Sequence, residues 1–124
     1  MARNRFVVPN TVRVDISDGD WVEIKEKLTY GEQKRLETGA MGKMTASGAT
    51  DPGISLDFER YNLMRLYTWL VAWSFVDENG ERVKITLDAI AALDTETAQE
   101  IDDVLTAHIE ALEEEKNAET TPTG

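Results

Sequence analysis

Cysteine is absent from this chain, which removes disulfide scaffolds, thiolate nucleophiles and cysteine-ligated zinc or iron–sulfur centres together. That absence suits a reducing compartment. Histidine occurs once, as His108, so neither a histidine-dependent triad within the chain nor a multi-histidine metal site can be assembled. Long apolar runs are also missing. The longest, residues 66–76, is interrupted by Thr68 and Ser74 and is roughly half the length that a membrane helix needs. The opening MARNRFVVPN lacks the apolar core of a secretion signal, so that route is not expected. Basic charge is scarce, with 13 lysines and arginines against 24 carboxylates and a net charge of −11. The deficit is concentrated in residues 94–124, where ten carboxylates face one lysine. Such a field repels nucleic acid and anionic lipid, so neither is an expected partner, and it favours solubility or a basic protein surface.

What is present reads as one α+β domain, mainly helical, of 124 residues. Residues 1–10 form an N-terminal arm, residues 11–116 a single domain, and residues 117–124 a disordered tail. Val12 and Val14 alternate with Arg13 and Asp15, a polar Ser17-Asp18-Gly19-Asp20 turn follows, and alternation resumes at Trp21. The pattern predicts a β-hairpin over 11–27. Thr29 followed by Glu32 is a capping-box spacing and starts a short helix that ends near Gly39. Residues 38–54 hold four glycines and a proline without periodicity, and are expected to be a flexible loop.

The run 55–76, SLDFERYNLMRLYTWLVAWSFV, is aromatic-rich and apolar on almost every helical face. It predicts a long buried central helix starting at Ser55 or Asp57. An Asn79-Gly80 turn, a short strand at Val83, Lys84 and Ile85, and a short helix after Thr86 follow. Asp94 is a good cap for a final acidic amphipathic helix, on which Ala98, Ile101, Leu105, His108 and Leu112 share one seam. Ile101, Leu105, His108 and Leu112 are therefore the candidate partner or self-association seam. His108 reads first as a histidine at the core's edge with one ring nitrogen satisfied, and second as a polar marker whose protonation would weaken such a contact.

No residue set supplies a reaction or holds a cofactor or metal. Gly42-Lys43 suggests a phosphate loop, but Met44 replaces the magnesium-binding hydroxyl and Glu37 the leading glycine. Asp77, Asn79 and Gly80 put glycine too early for a calcium loop. The carboxylates at Asp102, Asp103 and Glu113 to Glu115 are neighbours in sequence and fan around a helix. Trp69, Trp73, Phe75, Tyr61 and Tyr67 have helical spacing and aliphatic neighbours, which points to core packing and not to a stacking platform.

The order of these elements resembles the tail assembly chaperones of long-tailed bacteriophages. The likeness rests on Trp21 and Val22, Leu28-Thr29-Tyr30-Gly31-Glu32, Trp73-Ser74-Phe75, the Asn79-Gly80 turn, Val83, and the Leu93-Asp94 helix start, and it spans most of residues 11–112. It implies a non-enzymatic chaperone that coats the tape measure protein and helps recruit tail tube protein in the host cytoplasm, then leaves before the virion matures. A longer frameshifted form would fit Glu115-Lys116-Asn117, which a slippery codon run can encode. The alternative is a head–tail connector or tail terminator that stays in the virion.

Overall fold

A computed structural model describes residues 4–40 and 58–120. Along the chain come β1 (Thr11–Asp15), a 3-10 turn (Ser17–Gly19), β2 (Trp21–Lys25), α1 (Tyr30–Ala40), α2 (Phe58–Trp69), β3 (Leu70–Trp73), α3 (Leu87–Ala91) and α4 (Thr95–Thr120). The class is α+β, with a three-stranded antiparallel sheet in the order β1-β2-β3.

The hairpin forms as its alternation predicts. Val12 faces Ile24 and Val14 faces Val22 on one side of the sheet, while Arg13 faces Glu23 on the other. The turn is closed by the Ile16 N–H donating to the Asp20 carbonyl at 2.9 Å. Asp18 (φ 59°) and Gly19 (φ 78°) both take left-handed backbone there, which an aspartate tolerates and a glycine adopts without cost. On leaving β2 the chain enters α1 through the expected capping box. The Thr29 hydroxyl accepts the Glu32 N–H at 3.1 Å, and the Glu32 carboxylate accepts the Thr29 N–H at 2.9 Å.

The long central helix is corrected by the structure. Helix α2 ends at Trp69 and passes without a loop into β3, which pairs antiparallel with β2. Two demands explain the switch. A helix apolar on every side needs cover on every side, whereas β2 has an unpaired edge whose backbone groups must find partners. Leu70, Val71, Ala72 and Trp73 meet both, with Leu70 and Trp73 buried, Val71 outside, and Trp73 opposite Val22. A register shift at Glu23 and Ile24 absorbs the change from helix to strand. Ser74 locks the join: its N–H donates to the Trp21 carbonyl (3.0 Å), and its hydroxyl accepts the Trp21 N–H (2.9 Å) and donates to Asp20 (2.7 Å).

The strand expected at Val83 to Ile85 is also corrected. Only a single bridge, Val76 with Arg82, closes the turn, and the Val83 N–H donates to Phe75. Asp77 spends its carboxylate on the N–H groups of Asn79 and Glu81, at 2.8 and 3.1 Å, while Gly80 takes φ 79°. This is a turn built by an aspartate, not a calcium loop. Thr86 caps α3 by accepting the Ala89 N–H at 3.0 Å, and Asp94 caps α4 by accepting the Thr97 N–H at 2.8 Å. Helix α4 runs on through Thr120, and residues 121–124 lie outside the described residues. The expected loop over 38–54 likewise falls outside them from residue 41 onward, as do both expected caps of the central helix.

The core gathers Val22, Ile24 and Trp73 from the sheet, Leu66 and Trp69 from α2, Ile90 from α3, and Ile101 and Leu105 from α4. All are less than a tenth exposed. Among the described residues no polar or charged residue is buried with them.

Candidate partner-binding surface

Helix α4 is fastened to the body along its first half. Ile101 and Leu105 are wholly buried, so two of the four seam residues serve the chain's own core and present nothing to a partner. Around them three polar contacts hold the helix in place. Glu100 accepts the N–H and hydroxyl of Ser17, at 3.0 and 2.8 Å, which ties α4 to the hairpin turn. Asp102 forms an ion pair with Arg65 of α2, and the same guanidinium donates to the Thr106 hydroxyl at 3.0 Å. The third contact is His108, whose Nε2 lies 2.9 Å from the Glu26 carbonyl and therefore carries the proton that it donates. Its ring meets Trp69 edge to face, with centroids 5.9 Å apart. His108 is thus the half-buried, satisfied edge residue of the first reading.

Beyond His108 the helix outruns the body. There Ile109 and Leu112, both half-buried, face Leu28 at the exit of the hairpin and the edge of Trp69. These four side chains line an open groove of about 380 Å³, with Glu113 and Glu115 on the rim and Lys27 and Lys116 at its other sides. Of the predicted seam, Leu112 alone lines this groove, while His108 supports it from behind through Trp69. Leu28, Trp69 and Ile109 were not assigned to a surface by the sequence. Ile109 could have been found, because it follows the buried Leu105 by one helical turn. Leu28 belongs to a loop and carries no periodic signal.

Other candidates resolve into structural roles. Trp73 is buried, packs at a tilt against Phe75 with centroids 5.1 Å apart, and donates its indole N–H to the Val83 carbonyl at 2.7 Å. Trp69, Trp73 and Phe75 belong to core packing as expected, but Tyr67 is exposed and Tyr61 lies outside the core cluster, which corrects that reading for the two tyrosines. The carboxylates near the start of α4 are occupied as well, Asp94 by Thr97 and Glu100 by Ser17. Among the described residues no group of three or more histidines and carboxylates is placed to hold a metal ion, and no helix is long and apolar enough to cross a membrane.

Three carboxyls are held below their ordinary range. Glu32 is lowered first by the hydrogen bond from Lys25 and then by the Thr29 N–H. Asp94 is lowered by the Thr97 N–H, and Glu37 by Lys34. All three lie at helix ends or on exposed helix faces, so they report on folding and not on chemistry at a site.

Comparison with protein families, curated proteins and solved structures finds no match to this chain.

Proposed function

We propose that this chain is a tail assembly chaperone of a long-tailed bacteriophage: a non-enzymatic protein that holds the tape measure protein and helps bring tail tube subunits to it in the host cytoplasm. The observation that carries the reading is the groove between α4, Leu28 and Trp69. Its floor is apolar, its rim carries Glu113 and Glu115 on one side with Lys27 and Lys116 elsewhere, and it is open. Such a groove takes an amphipathic helix, whose apolar stripe enters between Ile109 and Leu112 while basic side chains meet Glu113 and Glu115. A long helical client with repeated apolar stripes offers that feature many times over. The surplus of carboxylates on the rest of α4 keeps the loaded complex from aggregating.

Co-expression with the tape measure protein tests this. The intact chain should keep the client in the supernatant, and Leu112→Asp should not, because a carboxylate on the groove wall meets the client's apolar stripe. Equal client solubility with and without this chain would refute the role. Mass spectrometry of purified virions separates a chaperone, which is absent from them, from a connector or terminator that remains.

A further inference from the structure

Strand β1 is an open edge of the sheet: β2 pairs it on one side, and no described residue pairs it on the other. The ladder's parity shows which groups are left over. The Glu26 N–H donates to the Asn10 carbonyl and the Ile16 N–H to the Asp20 carbonyl, so even-numbered residues of β1 turn their backbone towards β2. Thr11, Arg13 and Asp15 therefore turn theirs outwards. Of their side chains, the Thr11 hydroxyl donates to Glu23 at 2.6 Å, whereas Arg13 and Asp15 have no ion-pair partner among the described residues. Arg13 lies over Trp21, 3.8 Å from the ring centroid, and enters no ion pair among the described residues. Asp15 makes neither hydrogen bond nor ion pair among them. On the other face Val12 and Val14 are only half-buried. An edge of this kind is a template for another strand.

We infer that β1 is the contact with a second copy of this chain, pairing antiparallel about a two-fold axis at Val14 so that the two sheets become one. Charge selects the register. A two-fold at Arg13 would set arginine opposite arginine, and one at Val12 would leave Asp15 without a cation. At Val14, Arg13 of each copy faces Asp15 of the other, Val14 meets Val14, and Val12 meets Ile16. Each Arg13–Asp15 pair falls where the outward backbone groups exchange hydrogen bonds. Self-association thus belongs to β1, not to the α4 seam, and it stands whether or not the groove holds a client.

Sedimentation of the full chain from about 1 µM to 1 mM tests this, with circular dichroism to verify folding. The expected result is a mass that doubles with concentration. Arg13→Asp and Asp15→Arg each place like charges across the axis and should weaken the dimer by about tenfold or more, and the double exchange R13D/D15R should restore it. Arg13→Pro removes an outward N–H without touching the β1–β2 ladder, and should leave a folded monomer. A chain that is monomeric throughout, a dimer that the single substitutions leave unchanged, or a double exchange no stronger than the singles would overturn the assignment. Should Arg13 substitutions unfold the hairpin through loss of the Trp21 contact, Asp15→Arg decides alone.

Discussion

Glu32 shows how one side chain can fasten two elements. Its carboxylate accepts the Thr29 N–H as half of the capping box and pairs with Lys25 at the end of β2, so it joins α1 to the sheet. Both contacts favour the charged form, which is why its pKa falls below the usual 4.5. For a lowered carboxyl, the stabilisation is fully present above the unfolded pKa and is lost as pH falls through the folded one. Asp94, lowered by its own cap, follows the same direction. Urea unfolding should therefore be insensitive to pH from about 8 to 6 and weaken below about 5. Glu32→Gln should be less stable than the parent at neutral pH by about 1 kcal/mol, and that gap should close as the pH falls far enough to titrate the parent's carboxylate. A gap that persists at low pH would assign the loss to packing.

At the scale of elements, what the sequence disclosed was local and what it concealed was long-range. Thr29, Thr86 and Asp94 each cap the helix expected of them, because a cap needs only a side chain and an N–H two or three residues away. The hairpin was legible for the same reason. Strand β3 was not: an apolar run of that length fits a buried helix or a buried strand equally well, and its partner Trp21 lies 53 residues before Ser74. The groove was only half legible, since Ile109 and Leu112 share a helix face but Leu28 and Trp69 reach it by tertiary folding. The helix-to-strand switch makes a sharp prediction. Because the Ser74 N–H bonds the Trp21 carbonyl, the Ala72 N–H two residues earlier also faces β2. Ala72→Pro should cost about 3 kcal/mol or more in urea unfolding, whereas an uninterrupted helix through this point would be disturbed at Thr68, the source of the carbonyl four residues back. Amide exchange separates the two cases, with protection at Ala72 tied to Trp21 and Ser74 in β3 and to Thr68 in a helix.

For the molecule as a whole, α4 divides its work along its length. Its first half completes the core through Ile101 and Leu105, and its second half, past His108, contributes one wall of the groove. Removing residues 94–124 would therefore destroy the fold and the groove together, so loss of client binding in such a truncation would say nothing about recognition. Leu112→Asp separates the two, because Leu112 is half-buried and stands outside the fully buried group. Its unfolding free energy should fall by only about 1 kcal/mol, while capture of an amphipathic basic helix should drop by about tenfold or more as the groove loses its apolar wall. Raising the salt concentration tests the other component. Attraction between Glu113, Glu115 and a basic client is screened as the Debye length shrinks from about 10 Å at 0.1 M to about 3 Å at 1 M, but burial of Ile109 and Leu112 is not. Binding that weakens with salt in the parent and is weak at every salt in Leu112→Asp is the expected pattern, read by titration calorimetry. Binding that salt abolishes and Leu112→Asp leaves intact would move the contact to the exposed acidic face of α4.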